Sequence, residues 1–488
     1  MDDTRDVYEE FIDNDGLEDN LESLDELQVE NNMDACPNPN LNPEWFTSNT
    51  WDNIHDASPS LETGLMSWRL GDELSKGMLF KNKAAIQHAL TMFSVGLNKK
   101  FKYMKSDLGR LVVTCVHDAS LKDADPTTVT QLKCDSRGVP GTCTFNSSFW
   151  AFGPCIEGFK YYRPVISIDA MHLYGKYKGK LLLAMATDAN NEVYLLAFAV
   201  VESESKETWG WFLVCLTRFV TDRTNLCIIS DRHSRLKAYF NDTSMTWLQP
   251  PKAHHRYCFH HVASNVNAKW KIPELKNLVW RVTSANQVRK FEAVLELIRN
   301  VKPAAHRYLE AKSKQKWTLP HDGGHRYGAV TTNLSECFNG ILKGARSLPI
   351  TAMVRFTFFK VNSYFDARHN LTLDQLEASQ EWCKYAMDKF EKNQAKAKDH
   401  IVTRMGAQVR LYQVDTPGNP LSNRGRQHTH RVDLRGMTCT CGKWEAYKIL
   451  CSHVIAIYAK YKHDAQQFID PCYSVTHRYH SYDWYSNR

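Results

Sequence analysis

The sequence predicts an α/β domain built on a mixed sheet. Three consecutive apolar runs, Val165–Leu173, Leu181–Ala186 and Val193–Val201, are joined by the short polar turns "YGKYKGK" and "TDANNE". An amphipathic helix then leads into a fourth apolar run, Leu226–Ser230. Runs separated by short turns form an antiparallel meander, whereas a helix between the third and fourth runs supplies the length that a parallel crossover needs.

Each element has its own local cause. Val165, Ile166 and Ile168 read as a buried strand, and Asp169 lies inside it. A buried, unpaired carboxylate costs several kcal/mol, so Asp169 needs a reason to be there. Asp188 and Glu192, in the turn before the third strand, read as solvated. In the helix, Trp209, Phe212, Leu213, Leu216, Phe219 and Val220 recur on one face, with Ser205 as N-cap. Asp231 ends the fourth strand, and the chain from there to about Thr331 reads as largely helical and basic. Helices are expected again from Thr351 to Lys396, followed by a linker at Asp415–Gln427. Upstream, "FKNKAAIQHALTMFSVGL" has helical spacing. "KKFKYMKSDLGRLVVTCV" reads as a strand pair turning near Asp107–Gly109, and Lys122–Cys143 reads as linker.

Composition narrows the function. The chain has 488 residues, of which 43% are hydrophobic and 24% charged. It has no apolar run of the roughly 20 residues that a membrane span needs, and its acidic start lacks the apolar core of a secretory signal. The 14 cysteines are scattered, which favours reduced thiols and metal ligands over disulfides. Met1–Glu30 holds 13 Asp/Glu and one Arg, so the net charge of +7 conceals about +19 on the remainder. Such a surplus fits a polyanion such as DNA, with evenly spread surface charge as the plain alternative.

Asp169 and Asp231 converge if the first and fourth strands are neighbours, and two close carboxylates repel unless a cation lies between them. Carboxylate oxygens suit Mg²⁺, and such a pair suits in-line phosphoryl displacement. Glu336, in "TTNLSECFNGILKGAR", is the candidate third acid; Asn333 as N-cap with Glu336 three residues on is equally a capping box. In "HHRYCFHHVASN", Cys258 and His261 have ligand spacing but form only half a metal site, and a packed cysteine beside a hydrogen-bonded histidine fits as well. The strongest local motif is "MTCTCGKWEAYKILCSHVIAIYAKY". Cys439, Cys441, Cys451 and His453 make a Cys3His set that closes a tetrahedral structural zinc site.

These blocks in this order resemble the transposases of plant Mutator-like elements. The resemblance covers most of Phe149–Ile350 through "VISIDAMHLYGKYKGKLLLAMATDA", "TWGWFL", "CIISDRHSRL" and "TTNLSECFNGIL", and continues in the C-terminal motif, which is similar to a SWIM zinc finger. It implies an RNase H-like core interrupted by a helical insertion at about 250–330. Asp169, Asp231 and Glu336 would be the catalytic DDE set holding two Mg²⁺ or Mn²⁺ ions, with Asp169 bridging both. The implied activity is strand cleavage and transfer, with double-stranded DNA (terminal repeats and target) as partner, self-association left open, no membrane role and a nuclear location. A comparable C-x2-H lies between the second Asp and the Glu of that family. The implied order is an acidic tail (1–75), a partial N-terminal DNA-binding domain and linker (76–145), the transposase domain (146–370), a helical connector (371–430), the SWIM finger (431–465) and a C-terminal tail (466–488). In the N-terminal part, Lys99, Lys100, Lys102 and Lys105 alternate with aromatics as candidate DNA contacts, or as the solvated face of a strand. Cys115 matches that domain's first ligand position, but the Cys-Pro-Trp block that should follow is missing, and "LKCDSRGVPGTCTFNSSF", with Cys134 and Cys143, stands in its place. The alternative reading is a catalytically silent DNA-binding transcription regulator derived from such a transposase.

Overall fold

The structure, a computed structural model, describes residues 101–106, 111–115, 127–135, 144–174, 178–330, 342, 345–406, 410–417 and 428–483. The acidic segment 1–75, Lys99, Lys100 and Glu336 lie outside them. The chain divides into two compact units, Asn38–Thr128 and the remainder. In the first, β1 (Phe101–Ser106) pairs antiparallel with β2 (Leu111–Cys115) as an irregular hairpin. Lys102 and Lys105 fall on β1, and Cys115 ends β2.

The second unit is a mixed α/β assembly. Its strands are β3 (Val129–Asp135), β4 (Thr144–Ala151), β5 (Val165–His172), β6 (Lys180–Thr187), β7 (Val193–Val201), β8 (Leu226–Ser230) and β9 (Ala253–Tyr257). They form one sheet in the order β3-β4-β7-β6-β5-β8-β9, with β8 and β9 parallel to β5 and the other pairs antiparallel. The meander and the crossover are as the apolar runs predict. β3 is a correction, because it occupies residues read as linker. It is a polar edge strand, and Leu132 on it is exposed, so it lacks the apolar run that marks an interior strand.

A short helix, α1 (Gly153–Gly158), follows β4, and the crossover from β7 to β8 is α2 (Lys206–Cys215), extended by a π turn at Leu216–Val220. Ser205 caps α2 reciprocally: its hydroxyl accepts from the Thr208 amide and its own amide donates to the Thr208 hydroxyl. Successive residues of a strand face opposite sides, and β4 shows the consequence. Phe149 meets Trp211 and Phe212 of α2, whereas Trp150 donates its indole N–H to Thr357 on the long helix described below. The sheet is therefore covered on both faces.

Beyond β8, α3 (Ser234–Phe240) leads to β9. A run of helices follows: α4 (Phe259–Trp270), α5 (Pro273–Ser284), α6 (Val288–Val301), α7 (Pro303–Glu310) and α8 (Lys314–Trp317). Val262, Val266, Val279, Val282, Phe291 and Trp317 give this run its own apolar core. The long helix α9 (Ile350–Glu377) returns across the sheet, and α10 (Lys384–Ala397) follows.

Residues expected to continue as a helical connector to 430 instead form a second antiparallel sheet. Its strands are β10 (Ile401–Arg404), β11 (Leu411–Thr416), β12 (His428–Asp433) and β13 (Thr438–Cys439). Only Val402, Tyr412, Val414 and Val432 of β10–β12 are buried apolar residues, set among polar neighbours. Two helices, α11 (Lys443–Tyr447) and α12 (Ser452–Lys460), complete this layer.

The end of the described chain is not a tail. It forms α13 (Val475–Tyr482), which docks on the β6–β7 turn. There Asp188, read from sequence as solvated, is fully buried. Arg478 Nε lies 2.9 Å from Asp188 Oδ2 and Arg478 Nη2 lies 3.0 Å from Glu192 Oε1. Arg368 of α9 pairs with Glu192 at 2.9 Å, and Tyr482 donates to Asp188 at 3.2 Å. The carboxylate is buried because guanidinium groups remote in sequence neutralise it.

Candidate functional site

β5 and β8 run in parallel with Val165 opposite Cys227, Ile166 opposite Ile228 and Ser167 opposite Ile229. Two residues on, that register sets Asp169 level with Asp231, on the face shared by Ser167 and Ile229. β8 and β9 are also parallel, with Ser230 opposite Tyr257. One step on, Asp231 is level with Cys258, whose amide donates to the Ser230 carbonyl at 2.9 Å. Asp169, Asp231 and Cys258 thus lie in one row across the neighbouring strands β5, β8 and β9.

Asp169 is half-buried rather than sealed in the core, which corrects the expectation of a buried carboxylate. The strand carries it just as the interior gives way to surface. Its Oδ1 accepts from the Ala170 amide at 2.9 Å, and Asp231 Oδ1 accepts from the His233 amide at 3.0 Å. These bonds fix both carboxylates against the backbone.

Cys258 is the N-cap of α4, and His261 lies in the helix's first turn. The His261 imidazole is pushed up to about 9, first by its hydrogen bond with Cys258 and then, against burial, by the charges of Cys258, Asp169 and Asp231. Both candidate acids therefore act on one imidazole. The Cys258–His261 pair, open between half a metal site and local packing in the sequence, stands beside the carboxylates. Spacing could not reveal this, because it depends on the parallel register of β9.

Glu336 lies outside the described residues. The chain enters its segment next to this site, since Val330 accepts the Phe259 amide at 2.9 Å. Of the three candidate acids, Asp169 and Asp231 lie among the described residues.

A second centre lies at the β13–α12 junction. Cys439 is on β13, Cys441 follows it, Cys451 caps α12 and His453 is in that helix's first turn. The four ligand atoms lie within 4.8 Å of one another and all four residues are buried. Cys439 Sγ is 3.6 Å from His453 Nδ1. Three thiols cannot all ionise at this separation without a cation: hydrogen bonds from Cys439 and Cys451 hold the Cys441 thiol low, and the Cys439 thiol is pushed up in consequence. Three sulfurs and one imidazole nitrogen converging at tetrahedral spacing fit Zn²⁺ and leave no position open for substrate. Glu445 accepts the Cys439 amide at 3.0 Å, tying α11 to the ligand loop.

This centre is not a detached module. Ala446 of α11 packs with Phe259, Leu319 and Val330, and Gln287 donates to the Thr440 carbonyl at 3.2 Å. Gly442 has φ +73° and sits where a Cβ would collide with the Asn286 carbonyl.

Two family models match parts of the chain. Residues 165–265 match the family model of the MULE transposase domain. The chain carries a MULE transposase domain. Residues 430–462 match the SWIM zinc finger, so the Cys3His cluster is the metal centre of a SWIM finger. The two together are consistent with a Mutator-like transposase. The MULE match spans Asp169, Asp231, Cys258 and His261, and the SWIM match spans all four candidate zinc ligands. No curated protein matches the chain. No helix among the described residues is long and apolar enough to cross a membrane.

Proposed function

We propose that the chain is a DDE-type DNA transposase of the Mutator superfamily, cleaving and joining DNA strands at transposon ends. The observation that carries this reading is the level placement of Asp169 and Asp231 on adjacent parallel strands, inside a MULE transposase domain. The sheet order, an antiparallel meander whose first strand pairs in parallel with β8, itself followed by the parallel β9, supports an RNase H-like core. The α4–α8 run supports a helical insertion between Asp231 and Glu336.

Asp169 and Asp231, with Glu336 as third acid, would hold two Mg²⁺ or Mn²⁺ ions. Hard carboxylate oxygens suit these ions; when bound they supply Lewis-acid activation of the attacking oxygen and charge neutralisation at the phosphorus. The backbone bonds of Asp169 and Asp231 keep the two carboxylates in place. His261, hydrogen-bonded to Cys258, stands close enough to both carboxylates to feel their charge. In the first reaction, water oxygen bonds to phosphorus and the bond to the 3′-oxygen breaks, leaving a 3′-hydroxyl. In the second, that 3′-oxygen bonds to the phosphorus of a target phosphodiester as its hydroxyl proton is lost. The bond from that phosphorus to the target's own 3′-oxygen breaks, and the displaced 3′-oxygen takes up a proton to leave a 3′-hydroxyl on the target strand.

The zinc centre holds the finger against α4 and the loop before Glu336, a supporting role for the site. DNA as partner and a nuclear location follow from this reading. The test is a Mg²⁺-dependent cleavage and strand-transfer assay on the element's own terminal-repeat DNA, with Asp231→Ala as control. Cleavage lost in Asp231→Ala is expected. DNA binding without cleavage by the wild-type chain would refute the enzyme and leave the regulator.

A further inference from the structure

Five cationic side chains gather next to Asp231 without a carboxylate among them. Arg232, the next residue, donates from Nη2 to Tyr308 Oη at 2.7 Å, and its Cζ lies 5.5 Å from the Tyr308 ring centre. Lys312 Nζ is 3.1 Å from the same centre and Lys269 Nζ is 4.9 Å from it. Lys269 also lies 4.7 Å from the Trp270 ring, which packs edge-on against Tyr308. Lys316 approaches Tyr257 at 5.8 Å, and Lys237 of α3 is close enough to act on both Lys312 and Lys316.

None of the five is ion-paired with a carboxylate among the described residues. Arg232 Nη1 is buried and has no hydrogen-bond partner. Burial, then the charges of Arg232, Lys237 and Lys269, press the Lys312 ammonium down to about 7. Aromatic faces compensate Arg232, Lys269, Lys312 and Lys316 only by about 0.5–2 kcal/mol each, so the cluster is short of negative charge.

We propose that this cluster, formed by Arg232, Lys237, Lys269, Lys312 and Lys316 around Tyr308, binds successive backbone phosphates of a DNA strand lying beside the Asp169–Asp231 pair. It rests on the reading of the chain as a DNA-acting protein and adds where the strand is held. Five cations exceed the charge of one phosphate, which favours a strand over a free anion. They come from the loop after β8, α3, α4 and the α7–α8 region, so strand binding would tie the helical run to the sheet end.

The test measures anisotropy of a fluorescein-labelled duplex of arbitrary sequence with the full zinc-loaded chain, without added Mg²⁺, across about 50–200 mM NaCl. The triple variant Lys237→Gln, Lys269→Gln, Lys312→Gln is expected to weaken binding at least tenfold and to lower the log–log salt slope by about 2 to 3. The matching Lys→Arg triple should restore the slope, which separates charge from misfolding. A control triple on α10 and its C-cap, Lys384→Gln, Lys392→Gln, Lys398→Gln, should leave it unchanged. An unchanged slope in the first triple, or no duplex binding by the wild-type chain, overturns the proposal. So does displacement of the duplex by inorganic phosphate well beyond chloride of equal ionic strength, which would mark a free-anion site. Binding is read without catalysis, so a wild-type chain that binds through these lysines but never cleaves refutes the transposase reading alone.

Discussion

Replacing Arg478 with Met tests how the C-terminal helix is held to the sheet. Both Arg478 and Asp188 have fully buried side chains, 2.9 Å apart and 290 residues apart in sequence. At that distance, with an effective dielectric near 20, their attraction is about 6 kcal/mol. Desolvation of the two ions offsets much of it, by several kcal/mol each. The variant keeps most of the apolar stem but leaves the Asp188 carboxylate with Tyr482 and the amides of Asn190 and Glu192. Losing one partner of a buried pair costs about 3–5 kcal/mol. Native-state hydrogen exchange of the β6 and β7 amides reads this loss directly. Adding Asp188→Asn should recover at least half of it, because the orphaned charge is then gone. A loss below about 0.5 kcal/mol in Arg478→Met, within the range of ordinary surface substitutions, would refute the reasoning.

The same pair has a pH signature. Burial raises the Asp188 carboxyl, but Arg478 and Arg368 outweigh it and hold the group below its usual range. Its contribution is present above the unfolded carboxylate value of about 4 and is lost as pH falls through the lower folded value; an acid titration of α13 docking should show loss only below about pH 4, and at higher pH in Arg478→Met. Removing zinc with a chelator should expose Cys439, Cys441 and Cys451 to alkylation and, through the Ala446–Phe259 contact, speed labelling of buried Cys258 as well; labelling confined to the finger would contradict the coupling. Gly442→Ala forces a positive-φ residue against the Asn286 carbonyl, costing about 1–2 kcal/mol from the backbone alone, and should appear as faster proteolysis between α11 and α12. Thr357→Val orphans the buried Trp150 indole N–H and should lower stability by about 1–3 kcal/mol in a urea titration followed by tryptophan fluorescence.

The residues that could be read from sequence were those whose surroundings are local. β5 to β8 announce themselves as apolar runs, Ser205 as a cap, and the Cys3His set by spacing alone. Asp169 stood out because its neighbours in the strand are apolar. Asp188 did not, because the arginines that neutralise it come from positions 368 and 478. β3 and β10–β12 escaped notice because edge and half-exposed strands bury few residues. The place of Cys258 and His261 beside the acids, and the gathering of lysines on Tyr308, follow from the β8–β9 register and from helix packing, which local pattern does not encode.

The central claim is that Asp169 and Asp231 form a divalent-cation site. Electron paramagnetic resonance titration of the zinc-loaded chain with Mn²⁺ tests it without requiring a DNA substrate. The wild-type chain should bind Mn²⁺, and Asp169→Asn and Asp231→Asn should each weaken that binding at least tenfold while hydrogen exchange in β5 and β8 stays unchanged. Equal Mn²⁺ binding by the wild-type chain and both variants would contradict the account.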